Sequence, residues 1–160
     1  MGNWSRITTA ILVLAAAAGT AHADCQDNAI HVRGDWGEAR FSVDVVDTPQ
    51  TRGRGLMFVE DMPRMTGMLF VYDREQPVSF WMKNTLIPLD MIFANGKGVV
   101  EKVHSNAVPE DTTAIPGGDN IQYVLEINGG LADQLGIYPG SEMRHPAITG
   151  DNVAWSCDGP

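Results

Sequence analysis

Positive charge is scarce in this chain: 11 Lys and Arg stand against 20 Asp and Glu, a formal net charge of −9. Nucleic acid and anionic lipid both require a basic surface, so neither is expected as a partner. Cysteine is scarcer still, with Cys25 and Cys157 alone. No CxxC pair is present, and neither cysteine lies near a helix start that would acidify a thiol, which argues against catalytic redox chemistry. His31, His104 and His145 lack a ligand spacing such as HxxxH and suit surface or capping roles. No GxSxG elbow or P-loop lysine occurs. No cofactor or resident metal is expected.

Long apolar runs are also missing, except at the N-terminus. Arg6 precedes the run Ile7–Ala18, and Gly19, Thr20 and Ala21-His22-Ala23 then supply small residues suited to a signal-peptidase site. About twelve apolar residues are too few to cross a bilayer as a stable helix, which takes roughly twenty. Met1–Ala23 is therefore predicted to be a cleavable signal peptide, and the working protein to be periplasmic or secreted, with no stable membrane insertion after cleavage. Asp24 sits where a lipoprotein signal needs a small residue, so lipidation of Cys25 is not expected. Removing the leader and Arg6 with it leaves 137 residues of the 160 and a net charge of −10. That length suits one domain, residues 24–160, with a real core.

In an oxidising compartment an even cysteine count favours a Cys25–Cys157 disulfide over free thiols or a metal pair. It would close a loop of about 130 residues, worth about 4 kcal/mol in the chain-entropy description.

What remains is mostly short apolar segments bounded by Gly, Pro, Asn and Asp, the pattern of strands. Phe41, Val43 and Val45 alternate with polar residues. Further strands are predicted at Met68–Tyr72, Val78–Lys83, Leu89–Ala94, Val99–Ser105, Tyr123–Ile127 and Ser141–His145. Asn95-Gly96-Lys97-Gly98 makes a tight turn. Thr48-Pro49 can start a short helix through Arg54, and Leu131–Leu135 reads as a second, ended by Gly136. Asn106–Asn120 has no periodicity and reads as a long surface loop. The fold class is mainly β: a single small β-sandwich or open barrel with one or two short helices.

The densest segment is Ser79–Phe93, SFWMKNTLIPLDMIF. Alternation puts Phe80 and Met82 on one face and Trp81 and Lys83 on the other. A short hairpin loop at Asn84–Pro88 would bring Lys83, Asn84 and Thr85 to the end of the sheet that holds Asp90. A carboxylate inside an apolar run must be paired and hydrogen-bonded. The structural account is a Lys83–Asp90 ion pair, and the functional one a polar pocket walled by Trp81. Glu126 poses the same question in YVLEIN, where it shares a face with Val124 and Asn128. Asp90 and Glu126, if convergent, could act as paired acids in a hydrolase. Met62, Met65 and Met68 recur every third residue, which could suit Cu(I), but Pro63 and Gly67 interrupt the run and core filling explains it better.

Four blocks carry a resemblance: RGRGLMF (Arg52–Phe58), GMLFVY (Gly67–Tyr72), FWMKNTLIPLDMIF (Phe80–Phe93) and YVLEINGG (Tyr123–Gly130). In order and spacing they resemble the motifs of domain of unknown function family 192, over roughly Ala29 to His145. The resemblance implies a β-sandwich-like domain, often exported, found in bacteria and archaea and without an established activity. Its motif residues fall on Arg52, Gly55, Gly67, Trp81, Lys83, Asn84, Thr85, Pro88, Asp90 and Glu126, none with an assigned catalytic role.

The functional expectation is a binding or accessory module for a small molecule, sugar or peptide, its site formed by Trp81, Lys83, Asn84, Thr85, Asp90 and Glu126. The alternatives are a paired-carboxylate hydrolase and a structural or protein-interaction domain marked by an exposed apolar patch. The sequence leaves the oligomeric state open.

Overall fold

Apolar alternation makes the chain pair into one sheet, and the computed structural model describes residues 25–158 of it. The signal peptide expected at Met1–Ala23 lies outside the described residues. In chain order the elements are β1 (Ala29–Gly34), β2 (Gly37–Val46), α1 (Pro49–Arg54), β3 (Thr66–Phe80), β4 (Leu89–Ala94), β5 (Val100–Ala107), β6 (Ile115–Asn128), α2 (Leu131–Leu135) and β7 (Glu142–Arg144). The strand order is β5-β4-β6-β3-β2-β1-β7. Every pairing is antiparallel except β2 with β3, which α1 and the segment after it connect. The sheet curls until its ends meet. Val99 bridges to Glu142, Val100 N–H donates to the Ser141 carbonyl, and Met143 N–H donates to that of Gly98. This is the open barrel expected from the sequence.

The curl gives the central strands two buried faces. Inside it pack Ile30, Phe41, Leu69, Ile92, Leu125 and Ile127. Outside, Phe70, Met91, Phe93 and Val124 are covered by Leu56, Met82 and Ile115 from the connecting segments. All six residues of β4 are buried for this reason, and they read as a continuous apolar run. The outer strand β2 faces the core on one side only, and its residues alternate between buried and exposed from Ala39 to Val43.

Three expectations are corrected by the sheet. The segments Met68–Tyr72 and Val78–Lys83 form a single strand, β3, which ends at Phe80, with register shifts between Val71 and Ser79. The hairpin expected between that strand and β4 does not form, because β6 lies between them. The surface loop expected at Asn106–Asn120 contains the start of β6, with Ile115 opposite Phe80 and Gly118 opposite Val78. Position 117 is glycine because the Phe93 ring occupies its side-chain space: a Cβ would lie 2.3 Å from the ring. The short strand β1, which carries the sheet to β7, has no counterpart among the predicted segments.

The disulfide is formed: Cys25 and Cys157 are bonded across 132 residues of chain. Nearby, Trp155 lies between the guanidinium groups of Arg33 and Arg144, 4.3 and 4.1 Å from its ring centre.

Gly67 allows the closest approach in the sheet. A Cβ on it would stand 2.2 Å from the Glu126 carbonyl oxygen. Gly67→Ala must push β3 from β6, and a loss of about 2–3 kcal/mol is expected from such overpacking. Urea unfolding checks this, and an unchanged midpoint would show that the strands separate freely there.

Candidate functional site

Local chemistry fixes the first wall of the site. The Thr48 hydroxyl accepts the Thr51 N–H, Thr51 returns the bond to the Thr48 N–H, and Pro49 pre-sets the first turn of α1. The helix ends at Gly55, whose φ of 48° suits glycine; a Cβ there would also crowd Phe70 at 3.2 Å. Arg52 ties the helix to the sheet. Its Nη1 donates to the Asp47 carbonyl and, at 2.7 Å, to that of Val71, and its guanidinium lies 4.7 Å from the centre of the Tyr72 ring.

The opposite wall is the turn after β3. Lys83 Nζ stands 5.1 Å from the centre of the Trp81 ring, which is 49 % exposed. Thr85 is buried, and its hydroxyl faces the Lys83 carbonyl at 3.4 Å. Two flanking segments brace this turn. Phe58 N–H donates to the Asn84 carbonyl, and Glu110 N–H to that of Thr85. Phe58, Asn84 and Glu110 all have φ between 55° and 65°, as does Asn106 near Asp90. Left-handed backbone at non-glycine residues costs free energy and collects at functional sites. Here it collects around one turn.

Between these walls lies a cavity of about 380 Å³. Phe70, Tyr72, Phe80 and Trp81 give it aromatic surface, and Leu56 and Met57 aliphatic surface. Arg52, Arg54 and Lys83 bring positive charge to it. Glu126 forms part of its lining.

Glu126 is on the outer face of β6, opposite Met68 on β3 and Met91 on β4. Its strand neighbours are thus thioethers, which donate no hydrogen bond. The residue is only 4 % exposed, and no hydrogen bond or ion pair among the described residues reaches its carboxyl. Burial pushes its pKa up to about 8, so the group is mostly protonated at neutral pH. The Tyr72 hydroxyl is also pushed up, first by burial; the Arg52 charge opposes this and that of Glu126 adds to it.

Asp90 has a different place. Antiparallel partners share a face, and Asp90 is opposite Ile127 while Met91 is opposite Glu126. Asp90 and Glu126 therefore point to opposite faces of the sheet, and the paired-acid mechanism is overturned. The Lys83–Asp90 ion pair is absent too. Asp90 instead accepts three backbone N–H bonds of 2.7 Å, from Asn106, Gly130 and Ala132. Gly130, the N-cap of α2, has no side chain to offer, and Asp90 caps the helix in its stead.

Of the six residues expected at the site, Trp81, Lys83, Thr85 and Glu126 line the cavity, Asn84 braces its rim, and Asp90 is structural. Arg54 and Tyr72 complete the lining without having been singled out, and Arg52 had only its motif membership to mark it. The capped start of α1 followed by RGRG was the one signal that could have pointed to the two arginines. The methionine run disperses: Met68 is buried beside Glu126, whereas Met65 is at the surface. His145 is buried rather than at the surface, its ring bonded to the Asp27 carbonyl and to the Ala147 N–H.

These features define a curled β domain with a mixed aromatic and cationic cavity on its outer face. The chain belongs to the DUF192 family, described as "Uncharacterized ACR", which it matches over residues 30–145. A protein of unknown function from Novosphingobium aromaticivorans DSM 12444 is similar in structure, with a TM-score of 0.71 and 39 % identity over 72 % of this chain and 82 % of that one. A protein of Sinorhizobium meliloti 1021, described as a "putative transcription regulator", has a TM-score of 0.71 and 34 % identity over 75 % and 94 % of the two chains. Among curated proteins none matches the sequence.

Proposed function

We propose that the domain is a binding module for a small molecule or peptide, and that the cavity between α1 and the Trp81–Thr85 turn is where the ligand sits. One observation carries the reading: a buried carboxyl without a partner opens onto a cavity with aromatic walls. A ligand that bonds to this carboxyl replaces solvent in the cavity with a fixed partner. Concave sites lined by aromatics with a few convergent polar groups are where small ligands bind. The disulfide supports a working place outside the cytoplasm, periplasmic or secreted. The net charge of −9 argues against extending the Sinorhizobium protein's description as a transcription regulator to this chain, since DNA phosphates need cationic contacts.

The test is a fragment screen followed by two-dimensional amide and indole NMR. Hits should shift the Trp81 indole and the amides around Glu126, and Trp81→Ala should weaken them about tenfold, the loss of one stacking wall. Hits that shift only residues elsewhere, or no hits at all, defeat the reading.

A second reading has its own observation. Phe58 and Val108 are each 63 % exposed, as in part are Trp81 and Leu86, and the segments of Phe58 and Val108 both bond to the turn between Trp81 and Leu86. Such a rim suits a protein surface. In that case Phe58→Ser weakens capture of the partner while the fragments still bind.

A further inference from the structure

The cavity inverts the charge of the chain around it. Arg52, Arg54 and Lys83 are three of only 11 basic residues, and Glu126 is the one acid among the lining residues described. Two other cavities of similar volume carry no Lys or Arg. One has Asp44 in its wall, the other Asp111 and His104. Arg52 is also held in place, since the Asp47 and Val71 carbonyls fix its Nη1. No hydrogen bond among the described residues engages the rest of its guanidinium, which keeps its donors for a ligand. Lys83 lies over Trp81 in the same way, its charge held beside an aromatic face.

We propose that the cavity takes a small molecule carrying a carboxylate on an apolar, planar body, with Arg52, Arg54 and Lys83 around the carboxylate and the body against Tyr72, Phe80 and Trp81. This rests on the binding-module reading and names its ligand class. Glu126 closes the cavity as a hydrogen-bonding group whose negative charge, once formed, offsets part of the positive charge an anion meets. A cationic ligand would meet three positive charges, and a neutral one would leave them unused.

The charged and titratable groups around Glu126 are Arg52 and Arg54 on α1, Tyr72 on β3 and Lys83 on the turn. Its partners on the neighbouring strands are Met68 and Met91. Raising the pH therefore first places a negative charge on Glu126, and anion binding should weaken.

The experiment is calorimetric titration of the purified protein with three probes that share one ring system: 2-naphthoate, the neutral 2-naphthamide and the cationic 2-naphthylmethylamine. At about pH 7 and low salt the naphthoate should bind at least about tenfold more tightly than the naphthamide, and added salt should weaken the naphthoate alone. Lys83→Gln should cost the naphthoate about fivefold more than it costs the naphthamide. From about pH 6 to pH 9 naphthoate affinity should fall about tenfold, and Glu126→Gln should remove that fall. If naphthamide or the amine binds as well as naphthoate, the carboxylate inference is overturned and the binding module stands. If none of the three binds, or the bound probe leaves the Trp81 indole unmoved, the binding module falls and the inference with it. An equal fall with pH in Glu126→Gln overturns the part assigned to Glu126.

Discussion

Asp90→Ala should lower the stability of the domain by about 3–5 kcal/mol, the expected cost of stripping three buried donors of one charged acceptor. Oδ1 takes the N–H groups of Asn106 and Gly130, and Oδ2 takes that of Ala132. The residue is fully buried, and water does not replace what it supplies. The donors belong to two stretches of chain, Asn106 to one and Gly130 and Ala132 to the other, so a single carboxylate holds the end of β5 and the entry to α2 against β4. In a domain of this size the loss corresponds to a fall in melting temperature of about 10–15 °C. Asp90→Asn should cost less, about 2 kcal/mol, because the amide oxygen can still take the two N–H groups while its NH2 faces the third. Thermal and urea unfolding measure both variants. A fall below about 1 kcal/mol for alanine would mean that water or a shifted backbone satisfies these donors. Since Asp90 is on the sheet face away from the cavity, naphthoate affinity below the melting transition should be unchanged in either variant.

That prediction also marks where reading a sequence stops. The position of Asp90 inside an apolar run revealed that it needed partners. The nearest candidate in the sequence was Lys83, but the true partners are backbone groups 16, 40 and 42 residues away. Backbone donors have no residue code, so no pattern announces them. Local chemistry, in contrast, was legible. The Thr48-Pro49 start of α1, the Gly136 end of α2 and the Asn95–Gly98 turn each depend on neighbours within one turn of chain, and each is where the sequence placed it. The bounds of β4 were legible for the same reason, with Pro88 before it and the turn after it.

Sheet order was not legible. Inserting β6 between β3 and β4 depends on contacts between residues some thirty or more positions apart, and the first half of β6 carries Pro116, Gly117 and Gly118, which locally signal a loop. They are strand because β3 pairs with Pro116 and Gly118, with Gly117 at the register shift between them. The cavity was half legible. Alternation put Trp81 with Lys83 and Glu126 with Val124, but the arginines reach the site through a parallel crossover that no local pattern specifies. Phe58 reaches the exposed apolar rim on the same crossover.

Glu126 should make the domain lose stability as the pH rises, the reverse of what a paired carboxylate does. Its pKa is near 4.5 in an unfolded chain and about 8 in the fold. Between those values the native state holds a proton that the unfolded state has released, so unfolding becomes easier with each step of pH. The slope should be about 1.4 kcal/mol per unit and level off above about pH 8, for a total of up to about 5 kcal/mol. Other groups act elsewhere. Burial holds His145 below its ordinary 6.5, so its contribution rises with pH and is complete by about that value. Tyr72 and Tyr123 are pushed above 10 and act only in stronger alkali. Denaturant titrations between about pH 6.5 and pH 9 therefore isolate Glu126. Glu126→Gln should unfold with a free energy nearly flat across that range, so its advantage over the native protein grows with pH. Glu126→Leu should share the flat profile and add stability at every pH, because it exchanges an unpartnered carboxyl for packed methyl groups beside Met68 and Met91. A glutamine variant that keeps the native slope would show that Glu126 ionises freely in the fold. The cavity would then present a carboxylate at neutral pH that offsets one of its three positive charges, and its preference for anions would be weaker and independent of pH in this range.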